Sequence, residues 1–282
     1  MTLSTQQEEA PLEDLVASAR TGDRTSLEAI VSRIQDKIYG LSLRMLWHPE
    51  DARDATQEIL MRVITGLAGF RGESSFLTWV YRVAANYLLT ARRSRLEEQQ
   101  MTFEMFARDL DAGLSEGPST IETPVEEALL LEEVKVGCTL GMLSCLDRPH
   151  RLAYIVGEIL ELDGPDAARI LEIDPPTYRK RLSRARQDIV AFMNARCGLV
   201  SPDRSCRCRL RVRRAIELGR VDPRNLRFVS NADRARRFAP VLAEIRRLTR
   251  TRRAAALYRS HPDPAAPESL ARKIRLLLAS HI

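Results

Sequence analysis

The sequence predicts an all-α protein with two helical domains, an acidic linker between them and a basic helical extension. Apolar residues recur at helical spacing along most of the chain, and no stretch alternates with period 2 for long enough to predict a strand. The chain has 282 residues, whereas a domain typically has roughly 100–200 residues. These observations favour more than one helical domain.

The first part of the chain predicts four helices. A short helix covers Leu12–Ala19, and a longer one, capped by Thr25, runs until Pro49. A third helix begins near Pro49 and ends around 66–69. Ser75 caps the fourth, whose apolar residues include Trp79 and Leu88 and which closes in the basic run 91–95. The spacing of Trp79 and Leu88 favours core positions for both.

Helical patterning resumes at Pro124 and ends in a short helix, a turn and a longer helix. Asp174 followed by Pro175 is a strong start signal for the longer helix, because Asp caps helices and proline fits their first position. The longer helix carries five basic residues: Arg179, Lys180, Arg181, Arg184 and Arg186. A helix-turn-helix with a basic second helix fits the DNA major groove, although a solvated basic face is the plain alternative.

The net charge of +6 conceals a strong asymmetry. Residues 197–282 contain 21 Lys and Arg against 7 Asp and Glu, a net charge of +14, whereas residues 95–133 contain 2 against 11, a net charge of −9. The acidic stretch has the composition of a mobile linker. The sequence therefore predicts an acidic linker over 96–123 and a basic extension over 196–282.

Composition also excludes several classes of protein. The longest uncharged stretch, 136–146, is shorter than the roughly 20 residues that cross a bilayer as a helix. The N-terminus carries acids where a secretory signal needs basic and then apolar residues, so we expect a cytoplasmic protein. Five cysteines, an odd number, argue against a disulfide framework. The absence of a phosphate-binding glycine loop and of an HExxH zinc motif argues against an enzyme.

Three segments in order resemble one family. DARDATQEILMRV at 51–63, FRGESSFLTWVYRVAANYLL at 70–89 and TYRKRLSRARQ at 177–187 are similar to the sigma-70 superfamily of bacterial transcription initiation factors, and more narrowly to its extracytoplasmic-function (ECF) group. The resemblance covers roughly 12–195. It implies a region 2 domain over 1–95 and a region 4 domain over 124–195.

The resemblance also implies binding partners and site residues. The implied partners are RNA polymerase core and promoter DNA. The residues implied to bind core polymerase are Asp51, Asp54, Gln57 and Glu58. Those implied to bind the −10 element are Arg71, Ser74, Ser75, Phe76, Arg82 and Asn86, and those implied to bind the −35 element are Arg179, Lys180, Arg181 and Arg184. No cofactor is required, and no anti-sigma partner is visible in a single sequence.

The extension leaves several alternatives open. Cys197, Cys206 and Cys208 are spaced so that they could bind zinc or another soft metal ion, respond to oxidation, or remain reduced and unliganded. Cys138, Cys145, His150 or His261 could supply a fourth metal ligand. The arginines at 246–253 could contact DNA or polymerase, or pair with the acidic linker and hold the protein inactive. For the whole chain, the alternative to a sigma factor is a freestanding helix-turn-helix regulator that needs no polymerase.

Overall fold

The computed structural model describes residues 10–91, 101–113, 124–229, 238–268 and 270. These residues form twelve α-helices and no β-strand, which confirms the predicted all-α class. The helices are α1 (Leu12–Arg20), α2 (Arg24–Leu46), α3 (Pro49–Gly66), α4 (Phe76–Thr90), α5 (Phe103–Ala112), α6 (Pro124–Ser144), α7 (Arg148–Tyr154), α8 (Gly164–Ile170), α9 (Pro175–Arg196), α10 (Cys208–Glu217), α11 (Phe238–Arg247) and α12 (Arg250–Arg259). We call α1–α4 the first unit, α6–α9 the second unit and residues 196–282 the extension. Within the described residues, no helix is long and apolar enough to span a membrane.

Side-chain caps begin six of these twelve helices, and two of the caps, Ser75 and Asp174, are those that the sequence predicts. The Ser75 hydroxyl accepts a hydrogen bond from the Thr78 amide at 3.1 Å. One predicted cap is wrong: Asp23, and not Thr25, caps α2, since its carboxylate accepts hydrogen bonds from the amides of Thr25 at 3.2 Å and Ser26 at 3.0 Å. Both residue types are good caps, and the choice depends on which backbone first turns helical.

Helix α5 lies inside the segment predicted as a mobile linker, so for residues 101–113 that prediction is wrong. Phe103 and Phe106 pack against Phe192 of α9, with ring centroids 5.2 and 5.7 Å apart, and Leu110 is buried. The apolar residues of α5 share one helical face, a pattern that the acidic average composition hides. The rest of the predicted linker, and the basic run after Ala91, lie outside the described residues.

The two units share one continuous hydrophobic core, which extends from Val16 to Leu270. Helix α4 packs against α8, and the Arg148 side chain of α7 donates to the Leu89 carbonyl near the end of α4 at 3.4 Å. Among the described residues, this core is not interrupted between the two units. The domain boundaries predicted from composition therefore stay a prediction.

The extension packs against both units. Val212 and Val221 form a small apolar cluster with Leu130 and Val134 of α6. Helix α12 joins the main core, where the Tyr258 hydroxyl donates to the Thr139 carbonyl of α6 at 2.9 Å. Beyond α12, the Ala266 amide donates to the Asp36 carboxylate of α2 at 2.9 Å. The extension therefore contacts α2 of the first unit as well as α6 of the second.

Gly157 lies in a π-helical turn, Ile155–Ile159, that continues α7 and packs closely against α9. A Cβ atom at this position would lie 2.4 Å from the Tyr178 hydroxyl oxygen and 3.0 Å from a methyl carbon of Leu182. We therefore expect Gly157→Ala to lower the free energy of unfolding by about 1–3 kcal/mol, measured by urea denaturation. Gly164→Ala is the matched control, because none of the described residues has an atom within 4 Å of its added Cβ. Equal stability of the two variants would contradict this close packing.

Candidate nucleic-acid interface

Helices α8 and α9 form the predicted helix-turn-helix, and local sequence positions both. The Asp163 carboxylate accepts a hydrogen bond from the Asp166 amide at 2.8 Å, and Asp174 accepts one from the Thr177 amide at 2.9 Å. Each cap is followed by a helix with proline in its first turn. Tyr178, Ala185 and Ile189 turn the apolar face of α9 into the core, which leaves its polar face outside.

The basic residues of α9 do not all face solvent freely. Arg179, Lys180 and Arg184 are exposed near the start of the helix, and Arg181 is half-buried. Arg186 instead binds the Glu158 carboxylate, with Nε 2.9 Å from Oε1. The structure therefore brings three of the four predicted −35 residues together on one open face. An exposed cluster of this kind can contact phosphates or guanine edges.

The loop before α4 exposes part of the predicted −10 site and buries the rest. Arg71 is exposed next to Gly72, whose φ of +74° is readily adopted only by glycine. Ser74 is half-buried, and the exposed Ser75 is occupied in capping α4. Phe76 is only 1% exposed. In this arrangement its side chain is therefore not available to stack on a base.

Phe76 instead belongs to an aromatic cluster. Its ring centroid lies 5.4 Å from that of Phe70 and 5.6 Å from that of Trp79. Trp79 is half-buried against the main core, and Leu88 is fully buried. The sequence prediction that Trp79 and Leu88 pack into the core agrees with these positions.

Two predicted −10 residues, Arg82 and Asn86, contact a carboxylate from the second unit. The Asn86 side-chain amide donates to Glu172 at 3.0 Å, and the Arg82 guanidinium lies 3.9 Å from the same carboxylate. Glu172 lies in the turn between α8 and α9 and has a φ of +51°, an uncommon conformation for a residue with a side chain. Sequence reasoning missed this contact because it joins residues 86 positions apart.

The predicted polymerase-binding residues form an acidic face on α3. Asp51, Asp54 and Glu58 are exposed, and Gln57 is half-buried beside them. Spacings of three and four residues place the three acids on one side of the helix. Glu58 also pairs with Arg62 at 2.9 Å. This acidic surface can bind a basic surface of a partner protein.

Arg62 connects this acidic face with α4. Its guanidinium lies over the Tyr87 ring, 4.9 Å from the centroid. Burial raises the pKa of Tyr87, and the nearby Glu58 carboxylate raises it further. The phenol therefore stays neutral and can act as a hydrogen-bond donor beside the acids.

The predicted metal ligands lie at the base of the extension. Cys197, Cys206 and Cys208 line one cavity together with Cys138 of α6, and all five cysteines are free thiols. Across the described ranges, no three His, Cys, Asp or Glu side chains are grouped so that they could hold a metal ion. Metal binding by these cysteines stays a prediction.

Comparison with known proteins identifies the chain. Residues 30–97 match the family model for sigma-70 region 2. The RNA polymerase sigma-H factor of Pseudomonas aeruginosa is 32% identical over 183 residues, which cover 63% of this chain and 91% of that protein. The ECF RNA polymerase sigma-E factor of Haemophilus influenzae is 31% identical over 178 residues, covering 62% of this chain and 91% of that protein.

The fold, the helix-turn-helix and these relatives define the class, which is the sigma-type transcription initiation factors. More particularly, the chain belongs to the ECF group of the sigma-70 family. Membership favours the sigma-factor interpretation over a freestanding helix-turn-helix regulator. More than a third of this chain has no counterpart in either alignment.

Proposed function

We propose that the protein acts in the cytoplasm and directs RNA polymerase core to promoters, with no catalytic step of its own. In this proposal the acidic face of α3 binds core, the loop at 70–75 and α4 read the −10 element, and α9 reads the −35 element. The observation that carries the proposal is the open basic face of Arg179, Lys180 and Arg184 at the start of α9. A face of this kind beside a capped helix N-terminus suits the DNA major groove.

Run-off transcription tests this function. The full chain is added to bacterial core polymerase with a library of promoter fragments, and transcripts are sequenced. We expect specific transcripts only when both proteins are present. Duplex binding by the chain alone, with no association with core in gel filtration, would favour the freestanding regulator instead.

We further propose that the arrangement described above is a closed form that must open on a promoter. The −10 and −35 elements are about 25 base pairs apart, which corresponds to roughly 85 Å along the duplex. Helices α4 and α8 are in direct contact, so the readers of the two elements lie side by side. A protein in this arrangement cannot bind both elements of one straight duplex.

Glu172 is one of the groups that would hold the closed form. Its carboxylate accepts the Asn86 hydrogen bond and faces Arg82, where a phosphate or a base acceptor would otherwise bind. Opening the protein exchanges this internal acceptor for nucleic acid. The contact is largely exposed, so its contribution is modest.

The extension supplies a second set of closing contacts. We call residues 250–266 the strap, because they connect the second unit with the first. Arg259 of the strap donates to the Glu158 carbonyl at 3.0 Å and pairs with the Glu161 carboxylate at 2.6 Å. At the other end, the Ala266 amide binds Asp36 of α2. The strap would therefore oppose separation of the two units.

Two other arginines of the extension contact α5, in the segment that the sequence predicts as an acidic linker. Arg220 binds the Asp109 carboxylate of α5 through two hydrogen bonds of 2.6 and 2.8 Å, and Arg211 donates to the Leu110 carbonyl at 2.6 Å. The sequence hypothesis of pairing with this linker named different arginines, at 246–253. Among those, Arg253 donates to the carbonyls of Val200 and Leu248 instead.

The closed form predicts that removing the Glu172 carboxylate activates the protein. With Glu172→Ala, we expect the concentration that gives half-maximal run-off transcription to fall roughly 2- to 10-fold, since a typical hydrogen bond contributes about 0.5–1.5 kcal/mol and the exposed ion pair adds little. The promoter is one that the wild-type holoenzyme selects.

Asp166→Ala is the matched control for this prediction. It removes an acid from the same helix-turn-helix, but Asp166 pairs with Arg169 of its own helix and not with α4. Its half-maximal concentration is expected to stay at the wild-type value. Identical behaviour of the two variants would remove Glu172 from the closing contacts.

A further inference from the structure

Four of the five cysteines converge at the base of the extension. Cys138 on α6, Cys197 at the end of α9, and Cys206 and Cys208 at the start of α10 line one cavity of about 320 Å³. The remaining walls are largely apolar and include Phe106, Phe228 and Met142. Three of these cysteines are close to one another in the sequence. Cys138 joins them because α10 packs on α6.

Within this cluster, Cys197 and Cys206 are directly opposed. They form an isolated parallel β-bridge, in which the Gly198 amide donates to the Cys206 carbonyl at 3.1 Å. Bridged backbones lie about 4.8 Å apart, inside the Cα separation of roughly 4.4–6.8 Å that a disulfide requires. Both side chains border the same cavity. The backbone of this pair therefore already has a separation that suits a disulfide.

Cys206 is also the more accessible member of this pair. It borders a second, more polar cavity of about 260 Å³, whose walls include Asp111, Arg196 and Arg204. Burial raises the pKa of the Cys206 thiol, and the neighbouring guanidinium groups of Arg211 and Arg207 partly offset this effect. Burial likewise raises the pKa of Cys208, to about 12. Because Cys206 borders both cavities, a small oxidant can reach its sulfur atom from either one.

We propose that Cys197 and Cys206 are a reversible disulfide pair, a modification site between the DNA-reading helix and the extension. Hydrogen peroxide is the oxidant. The Cys206 sulfur attacks one peroxide oxygen, the O–O bond breaks, and water leaves as a sulfenic acid forms. The Cys197 sulfur then attacks the Cys206 sulfur and displaces the second water. Two thiols thereby lose two protons and two electrons, and one peroxide is reduced to two waters.

The position of the pair links its oxidation to the closed form. The disulfide would join the end of α9 to the residue two positions before α10, and α10 packs on α6. The intervening loop is already folded back, since Arg204 donates to the Asn194 carbonyl at 3.0 Å and Arg207 to the Pro202 carbonyl at 2.6 Å. Oxidation would thus hold the start of the extension in its docked position. This consequence rests on the proposed function, whereas the disulfide itself does not.

Mass spectrometry of the full chain tests the proposal. The reduced protein is treated with hydrogen peroxide, alkylated under denaturing conditions and digested. We expect a mass loss of about 2 Da, three alkylated cysteines in place of five, and one linked peptide pair joining Cys197 to Cys206, all reversed by dithiothreitol. Cys197→Ser and Cys206→Ser should abolish the linked pair. Cys145→Ser is the matched control, because this cysteine does not line the cavity, and it should behave as wild type.

Three results would overturn the disulfide. These are five alkylated cysteines after peroxide, a linked pair that joins Cys206 to Cys138 or Cys208, and a reduced protein that retains stoichiometric zinc through purification. Comparing run-off transcription by oxidised and reduced protein then tests the consequence separately. Equal transcription with a mapped disulfide would contradict only the link to the closed form.

Discussion

Replacing Arg151 with leucine is expected to lower the free energy of unfolding by about 3–5 kcal/mol, the largest effect of any substitution considered for this protein. Arg151 lies in α7 and is only 2% exposed. Its guanidinium donates to the carbonyls of Leu143 at 2.9 Å, Ser144 at 3.1 Å and Leu146 at 2.8 Å, and also to the Met45 carbonyl. Arg151 therefore donates hydrogen bonds to backbone carbonyls at the C-terminal ends of two helices, α6 and α2.

The expected cost follows from the groups that Arg151 satisfies. The last carbonyls of a helix have no partner within that helix, and each buried carbonyl left without a donor costs about 1–3 kcal/mol. Leucine preserves much of the apolar packing but supplies no donor. Because Met45 belongs to the first unit and Arg151 to the second, the substitution should also loosen the contact between the units.

Urea denaturation followed by circular dichroism measures this effect. Arg151→Lys should lose less stability than Arg151→Leu, because an ammonium group can still serve some of the carbonyls. Arg169→Leu is the exposed control, since Arg169 pairs with Asp166 at the surface, and its stability should change by about 0.5 kcal/mol or less. If Arg151→Leu were as stable as Arg169→Leu, the buried guanidinium would have no role in joining the helices.

The second large effect concerns DNA. Changing Arg179 and Lys180 together to alanine should weaken binding of a −35 duplex by roughly 30-fold or more, because each well-placed basic contact is worth about 1–3 kcal/mol. Both side chains are exposed on α9, so their removal should not disturb the core. The salt dependence of binding should also become shallower as phosphate contacts are lost.

Fluorescence anisotropy with the selected promoter duplex, at several salt concentrations, measures both quantities. Arg186→Ala is the matched control on the same helix, because its guanidinium binds Glu158 within the protein. Its affinity for DNA is expected to remain within about twofold of wild type. Comparable losses in the two proteins would mean that general positive charge, and not the face at the start of α9, binds the duplex.

Much of the fold was predictable because its signals are local. Asp174 and Pro175 begin α9, and Ser75 begins α4, since caps and first-turn prolines act within a few residues. The choice of Asp23 over Thr25 shows the limit of this reasoning, because both residues can cap. Helix α5 was missed for a different reason. Its apolar residues lie on one face, and the average composition of the surrounding acidic segment conceals them.

The candidate site was predictable in part. The exposed acids of α3 and the exposed basic residues of α9 are on the faces that helical spacing assigns. Phe76 was expected at a base but lies in an aromatic cluster, because its position on α4 points inward. Arg186 was counted among the five basic residues of the longer helix, yet it pairs with Glu158, 28 positions earlier in the chain.

The sequence by itself determined the all-α class, the order of the helices, the helix-turn-helix and the division of charge between linker and extension. These follow from periodicity, caps and composition, which act over short distances along the chain. Only the tertiary structure decided that Glu172 contacts Asn86, that Arg211 and Arg220 hold α5, and that Cys138 joins the other three thiols. Each of these depends on how helices distant in sequence pack together, and no spacing within a single segment encodes it.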